Sequence, residues 1–300
     1  HEYFHTWNVK RLRPAEFTHY DYARENYTQL LWFFEGFTSY YDDLLLRRAG
    51  LIDDACYLKL LNKTINQVLQ TPGREVQAAA QASFDAWVKY YRQDENTANA
   101  TVSYYTKGSL VALCFDLLLR AEGHTTLDAV MRALWLRCKA GPMTEADFAA
   151  VLRELGGRPF TRELASWVHG TRELPLEELL HKHGVVVLED PAQLAQRIGL
   201  RVNETTGLQI KQVLRGGAAE LAGMAANDDW LGVEVAGSGW RMTKLDDLTL
   251  YAGAHKKVTA LVARDRRLLR LELTLPAAVT TWRLVLRDAA LAQPWLAATH

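Results

Sequence analysis

The chain has 300 residues, and its hydrophobic fraction of 49% is enough to bury the cores of two globular domains. Lysine plus arginine and aspartate plus glutamate both number 35, so the formal net charge is zero. A neutral chain favours neither nucleic acid nor an anionic membrane surface as a partner. No apolar run is expected to reach the length of a transmembrane helix, so the sequence predicts no membrane span.

The chain begins with His1-Glu2-Tyr3-Phe4-His5, which is an HExxH motif. We predict a helix over residues 1–10, on which His1 and His5 lie one turn apart on the same face and can hold one Zn²⁺. Glu2 projects about 100° further round the helix, beside the metal. There it can act as general base towards a zinc-bound water, whose pKa the metal lowers to about 7. The alternative is a surface helix end with two unrelated histidines.

A third zinc ligand is predicted at Glu35, the one acidic residue in the apolar and aromatic run 31–41, within a predicted helix over 27–48. A buried, unpaired carboxylate is costly, and coordination of a metal offsets that cost. Catalytic zinc usually takes three protein ligands and leaves one position for water. The alternatives for Glu35 are a helix cap or an ion pair with a nearby arginine.

Further helical patterns follow along the chain. Apolar residues at three and four spacing predict helices over 53–69, 75–91, 103–121, 161–167 and 176–183. Thr125 with Asp128, and Thr144 with Asp147, predict two more helix starts of the capping-box type. Residues 1–184 are therefore predicted to form a mainly α-helical domain.

After residue 184 the pattern changes to strands. Short β-branched runs predict strands over 185–188, 200–202, 208–213, 230–235, 257–263 and 268–275, with short helices over 218–222 and 243–251. Strands with two short helices in about ninety residues fit a small PDZ-like barrel, which we assign to residues 185–279. Residues 280–300 are predicted to be a tail that packs on one of the domains. The fold class is thus α+β, with two domains.

The histidines and cysteines outside the motif show no ligand spacing. His181 and His183 alternate near a predicted helix end, which favours exposure to solvent. Cys56, Cys114 and Cys138 lie in apolar helical patterns, which indicates buried free thiols. This cysteine usage favours a reducing compartment and a cytoplasmic location, with a signal peptide upstream as the alternative.

Three motifs in the same order resemble the glycyl aminopeptidase family of gluzincin zinc metallopeptidases. Residues 1–14 resemble its zinc-helix signature, residues 32–41 its second zinc helix, and Tyr104-Tyr105-Thr106-Lys107-Gly108 its tyrosine-x-lysine-glycine motif. Residues 216–224 resemble a segment of the PDZ domain that these proteins carry. Members of the family have a β-rich segment before the zinc helix. The chain is therefore expected to be a fragment that folds but retains zinc weakly and has little peptidase activity.

The resemblance implies a zinc-dependent aminopeptidase with one Zn²⁺ per chain, held by His1, His5 and Glu35. It implies that Glu2 is the general base and that Tyr105 donates a hydrogen bond to the oxyanion, a contact that can be worth roughly 3 kcal/mol. Tyr104 is the neighbouring candidate, and a core tyrosine is the alternative role. Preference for small N-terminal residues such as glycine or alanine is also implied.

Two other functions stay open. One is a gluzincin of broader or endopeptidase specificity. The other is a non-catalytic protein whose PDZ-like domain binds a C-terminal peptide ligand by strand addition. If the PDZ-like domain captures a peptide, its groove is predicted between the strand over 198–202 and the helix over 245–251, with Ile198, Gly199 and Leu200 as binding residues. A structural lid is the alternative role for this domain.

Overall fold

Two clusters of buried apolar residues organise the fold. One is formed mainly by helices of the first 180 positions, and the other by strands and short helices of positions 198–273. The computed structural model describes residues 1–277 and 279–297. The fold is α+β, as predicted. The α-helices are α1 Leu31–Arg48, α2 Asp54–Leu69, α3 Ala79–Phe84, α4 Thr97–Ala100, α5 Tyr104–Glu122, α6 Leu127–Arg137, α7 Glu145–Gly156, α8 Thr161–Glu163, α9 Leu176–Lys182, α10 Leu194–Ile198, α11 Ala218–Leu221, α12 Asp247–Ala252 and α13 Ala289–Leu296.

Ten strands accompany these helices in the part of the chain that the structure describes. They are β1 Arg13–Pro14, β2 Pro142–Met143, β3 Val185–Pro191, β4 Leu200–Asn203, β5 Gln209–Val213, β6 Asp229–Val235, β7 Ser238–Arg241, β8 Lys257–Arg264, β9 Arg267–Thr274 and β10 Thr280–Leu286. Short 3₁₀ turns span Phe4–Thr6, Ala15–Phe17 and Pro72–Glu75, and π turns span Ala86–Tyr90 and Leu164–Val168.

The helix predicted over residues 1–10 is wrong, because only the 3₁₀ turn Phe4–Thr6 forms there. The one-turn spacing of the motif is nevertheless kept, since the backbone N–H of His5 donates to the carbonyl of His1 at 3.2 Å. Beyond that turn the chain folds back on itself, and Val9 has a φ of 146°, which no helix accommodates. Asn8 is buried and uses its side chain for bonds outside the segment, which competes with helix formation.

The single helix predicted over 75–91 is also wrong. It is divided into the turn Pro72–Glu75, helix α3 and the π turn Ala86–Tyr90. Gly73 lies so close to Thr101 that a Cβ on Gly73 would collide with the backbone of Thr101. This contact holds the turn Pro72–Glu75 apart from α3. The buried amide of Gln77 accepts from the backbone N–H of Val102 at 3.1 Å, which fixes the break between them.

Predicted capping residues agree better with the structure. Thr144 and Asp147 form the reciprocal capping box that the sequence predicts for α7. Helix α6 is instead capped by Thr126, one residue after the predicted position, and its side chain accepts from Ala129 N. Ser103 caps α5 in the same way, accepting from Thr106 N.

Helices α1 and α5 cross in direct backbone contact, and this crossing forms the centre of the helical core. A Cβ on Gly36 would lie 2.5 Å from the backbone of Gly108, and a Cβ on Gly108 would lie 2.9 Å from the Cα of Gly36. Only glycine allows this approach. Because Gly36 follows Glu35 and Gly108 lies three residues after Tyr105, the close crossing brings the turns that carry both candidate residues together.

The β-rich region, residues 194–275, has its own hydrophobic core around Ile210, Trp230, Val233 and Val262. Its six-stranded sheet has the order β4-β5-β6-β8-β9, with β7 paired to β6. A two-residue hairpin turn joins β8 to β9, with Asp265 and Arg266 at positive φ. Strand β7 was not predicted, because its exposed serine, glycine and arginine residues carry no alternating apolar pattern.

The two cores divide the chain differently from the predicted boundary at residue 185. Strand β3 pairs antiparallel with β10, and Val185 and Leu284 lie in the helical core. The predicted tail therefore contains a strand and helix α13, whose Trp295 is fully buried in that same core. We call residues 1–191 and 279–297 the helical region. Residues 298–300 of the predicted tail lie outside the described residues.

Two further expectations need correction. All three cysteines are free, but Cys56 is exposed, Cys138 is half-buried and only Cys114 is buried. One stretch, Thr97–Glu122, is long and apolar enough to cross a membrane by length and composition alone. The expectation that no apolar run reaches the length of a transmembrane helix is therefore wrong. The most apolar part of this stretch is largely buried inside the protein, as is usual for a core helix.

Candidate metal centre

Three of the predicted site residues lie together where the N-terminal segment meets helix α1. The Nε2 atom of His5 is 3.1 Å from Oε2 of Glu35, and Nε2 of His1 is 3.4 Å from the same oxygen. One ligand atom from each residue lies within 4.8 Å of the other two. The two imidazole rings meet edge to face, with centroids 4.7 Å apart. The structure thus brings together two nitrogens and one carboxylate oxygen around a single point.

The other ring nitrogen of each histidine is occupied by an acceptor. Nδ1 of His1 is 2.8 Å from Oδ2 of Asp42, and Nδ1 of His5 is 2.9 Å from the carbonyl oxygen of Asn8. Each contact places a proton on Nδ1, which leaves the lone pair of Nε2 for a metal. This set of two imidazole nitrogens and one carboxylate oxygen fits a zinc ion.

Charge is concentrated at this point. When His5 is protonated, its Nε2–H donates to the carboxylate of Glu35, and this hydrogen bond raises the pKa of His5; the charge of Glu2 acts in the same direction. His5 is 7% exposed, so little solvent screens these charges. A site that gathers carboxylates around imidazoles attracts a cation.

Sequence reasoning missed Asn8 and Asp42. Asn8 is buried, and its amide donates to the carbonyl of Phe34 and to Oγ1 of Thr38, both at 3.2 Å. It thereby joins the motif loop to the turn of α1 that carries Glu35. Asp42 lies seven residues after Glu35, which is two helical turns along the same face of α1. That spacing was the available signal for Asp42, whereas no local signal identifies Asn8.

Glu2 and Tyr105 lie beside the three clustered residues. Glu2 is exposed, next to His1 in the chain. The ring of Tyr105 is 6.2 Å from the ring of His1 and is half-buried. Burial, and then the charge of Glu35, raise the pKa of Tyr105 well above its ordinary value, so its phenol stays protonated and able to donate. Tyr104 is almost fully buried and stacks beneath Tyr105, with the rings 4.8 Å apart.

The residues predicted to bind peptide in the β-rich region, Ile198, Gly199 and Leu200, are all buried. Gly199 has a φ of 76°, and a Cβ there would lie 2.9 Å from the Cα of Gly217. It lines a cavity of about 580 Å³ whose other walls include Arg74, Val76 and the loop at Gly216. This cavity lies towards the helical region, on a different side from the predicted groove against α12. Peptide binding here stays a prediction.

The remaining histidines behave partly as expected. His181 is exposed, as predicted, but His183 is 5% exposed and its Nδ1 donates to the carbonyl of Leu179 at 2.9 Å. The alternating sequence pattern could not show that helix α13 covers His183, whose ring lies 6.4 Å from the ring of Trp295.

An HExxH pair that faces a glutamate from a second segment is an arrangement typical of zinc-dependent peptidases. Comparison with known families agrees with this class. The M61 glycyl aminopeptidase family matches residues 1–111, a span that contains all three motifs. The resemblance that the three motifs indicated is therefore confirmed.

A solved structure extends the likeness along the chain. The aminopeptidase N family protein from Idiomarina loihiensis is 32% identical to this chain and superposes with a TM-score of 0.89. The match covers 99% of this chain and 54% of that protein, so the chain spans about half the length of its relative. No curated protein sequence matches the chain.

Proposed function

We propose that this protein is a zinc-dependent aminopeptidase that hydrolyses the N-terminal residue of peptides. The observation that carries the proposal is the convergence of His1, His5 and Glu35, whose ligand atoms lie within 4.8 Å of one another. The family match over residues 1–111 and the aminopeptidase relative support the peptidase class. His1, His5 and Glu35 would hold one Zn²⁺ per chain.

Zinc at such a site lowers the pKa of a bound water to about 7 and polarises a carbonyl group. Around it, the residues of this chain have separate tasks. Glu2 lies beside His1 but outside the ligand cluster, so its carboxylate is available to take a proton and later deliver it to the leaving amine. Tyr105 keeps its proton, because burial raises its pKa, and donates a hydrogen bond where negative charge develops. Asp42 orients the ring of His1.

The proposed specificity is for small N-terminal residues, glycine and alanine. It rests on the family match, whose description is that of a glycyl aminopeptidase. The peptide substrate is the proposed partner of the helical region, and a C-terminal peptide is the proposed ligand of the β-rich, PDZ-like region. A cytoplasmic location is proposed from the free cysteines.

The test combines metal content with substrate class. The protein, measured with zinc added, should bind one Zn²⁺ per chain and hydrolyse glycyl and alanyl peptides. Peptides with a blocked N-terminus should not be cleaved. Glu2→Gln should lower kcat by about 10³-fold or more while zinc stays bound, since Glu2 is a base and not a ligand.

Three outcomes decide against parts of this proposal. Cleavage of the blocked peptides would make the protein an endopeptidase. Loss of zinc from Glu2→Gln would make Glu2 a ligand. Absence of zinc binding together with absence of turnover would remove the catalytic proposal and leave peptide binding by the β-rich region.

A further inference from the structure

A continuous row of aromatic rings leads away from the candidate metal centre. The ring of Tyr105, 6.2 Å from that of His1, lies 5.7 Å from the ring of Tyr90. The ring of Tyr90 is 5.4 Å from that of Tyr91, which is 5.9 Å from that of Trp87. We call Trp87, Tyr90 and Tyr91 the aromatic strip. The row joins the proposed catalytic residues to the protein surface without interruption.

The strip is built on an unusual piece of backbone. Trp87 and Tyr90 lie in the π turn Ala86–Tyr90, which ends where Tyr91 N donates to the carbonyl of Ala86 at 3.0 Å. Such turns add one residue to a helix and occur often at functional sites. Within and just after this turn, Tyr90 packs against Tyr104 and Tyr105, while Trp87 and Tyr91 face outwards.

The strip is held firmly with respect to Tyr105. Asp85, which precedes the π turn, accepts from Lys89 Nζ at 2.8 Å and from the amide of Gln77 at 3.2 Å. Gln77 in turn accepts from Val102, in the segment that leads into α5. The indole N–H of Trp87 donates to the carbonyl of Asn26 at 3.1 Å, which fixes the orientation of its ring.

Two of the three rings present large apolar surfaces to solvent. Trp87 is 44% exposed and Tyr91 is 62% exposed. Exposed aromatic residues that are fixed in place beside a catalytic centre are typical of binding surfaces, because they offer contact area with little loss of conformational entropy. The occupant must reach from the metal centre to the surface, which suits an extended polypeptide.

The proposed reaction decides which part of the polypeptide lies there. An aminopeptidase substrate has a single residue on the N-terminal side of its scissile bond. The strip leads away from Tyr105 over three rings, and the centroids of successive rings are 5.4–5.9 Å apart. One residue of extended chain rises about 3.3 Å, so the strip is longer than one residue. Only residues on the C-terminal side of the scissile bond can use such a surface.

We propose that the aromatic strip binds the side chains of the two or three substrate residues that follow the scissile bond, and that it favours apolar and aromatic side chains there. The inference rests on the proposed aminopeptidase function and adds a preference on the other side of the scissile bond from the N-terminal residue. Stacking of one aromatic side chain on the strip should raise affinity by about tenfold.

The experiment compares two peptides that share N-terminal alanine, Ala-Phe-Leu-Ser and Ala-Gly-Gly-Ser. Affinity is measured by calorimetry on the zinc-loaded Glu2→Gln protein, so that no turnover interferes. kcat/KM is measured on the unsubstituted protein. The Phe-Leu peptide should bind about tenfold more tightly and be hydrolysed with a higher kcat/KM. In Trp87→Ala and Tyr91→Ala, both ratios should fall towards one.

The matched control is Trp240→Ala, which removes a tryptophan of similar exposure, 47%, in the β-rich region. It should leave both ratios unchanged. The inference is overturned if the protein with an unsubstituted strip binds the two peptides with equal affinity. It is also overturned if Trp87→Ala and Tyr91→Ala keep the ratios of affinity and of kcat/KM between the two peptides. Failure of the proposed function has a different signature, which is absence of turnover on both peptides whatever their affinities.

Discussion

The helical region and the β-rich region bury polar side chains in different ways. In the helical region, Asp116 and Asp128 lie inside the protein and are held by Arg120, which bonds to both at 2.9 and 3.0 Å. In the β-rich region the main buried charge is Asp228, which Arg264 alone neutralises at 2.7 and 2.8 Å. The first region sustains a network of several charges, whereas the second relies on one pair and on backbone pairing within its sheet.

The network of the helical region extends to the candidate metal centre. Tyr41 donates to Asp128 at 3.0 Å, and its ring stacks on Phe4, inside the HExxH motif, at 5.1 Å. Tyr40 donates to Asp116 at 2.7 Å and accepts from the indole of Trp295 at 3.0 Å. The polar network of the helical region thus packs directly against the HExxH motif. Single substitutions should therefore separate the two regions.

The largest expected effect is on catalysis. Tyr105→Phe removes the proposed donor to the oxyanion and should lower kcat by about 10²–10³-fold with little change in KM, because the contact forms only in the transition state. Steady-state kinetics on an alanyl peptide measures it. Tyr104→Phe is the matched control and should have a much smaller effect. A pure KM effect in Tyr105→Phe would make this residue a substrate-binding group.

The comparison predicts an effect confined to the β-rich region for Asp228→Ala. This change leaves Arg264 without its partner and should cost about 3 kcal/mol. That value is at the low end for a buried pair, because the side chain of Arg264 is 33% exposed and can be hydrated. Hydrogen exchange resolved by region should show faster opening of strands β6 and β8 and unchanged zinc binding. Loss of zinc would show that the regions are coupled.

Gly108→Ala tests the helix crossing that both motifs share. The added methyl group should separate α1 from α5, cost about 1–3 kcal/mol in unfolding free energy and weaken zinc binding. Urea unfolding and zinc titration measure the two effects. Gly239→Ala is the matched control, because nothing lies within 4 Å of a Cβ at Gly239. Equal stability of the two variants would show that the crossing tolerates a wider spacing.

Asp42→Ala removes the acceptor that orients His1 and should weaken zinc binding by about 10–100-fold without unfolding the protein. Competition with a chromogenic chelator measures the affinity. Asp42→Asn, which can still accept from Nδ1, should recover part of it, whereas Asp43→Ala should change little. An unchanged affinity in Asp42→Ala would mean that His1 is oriented by the backbone alone.

Much of the candidate site could be predicted from the sequence, because its residue types are concentrated in short motifs. His1, His5 and Glu35 were identified by spacing and by the cost of burying a carboxylate. The shape of the motif segment was not, because the tertiary bonds of Asn8 override local helix preference. The pairing of β3 with β10 was also missed, since it joins residues about ninety positions apart and local patterns carry no information on such contacts.

The smallest expected effect concerns pH and is confined to the helical region. Burial is the main cause that lowers the pKa of His183, and the positive charges of Arg120 and Lys182 add to it, whereas Asp116 and the carbonyl of Leu179 oppose it. The unfolded chain, with an ordinary histidine pKa of about 6.5, binds the proton more readily than the folded protein does. The stability that neutral His183 contributes is therefore complete above about pH 6.5. It is lost as the pH falls towards the lowered pKa that His183 has in the folded protein.

His183→Gln removes this proton-binding site, so the stability of the helical region should depend less on pH between 7 and 5 than in the unsubstituted protein. Urea unfolding at several pH values, with hydrogen exchange resolved by region, measures the difference. His255→Gln is the control, because His255 is exposed in the β-rich region and should leave the slope unchanged. If His183→Gln has the same slope as the unsubstituted protein, the acid sensitivity of the helical region comes from its carboxylates and not from the histidine beneath Trp295.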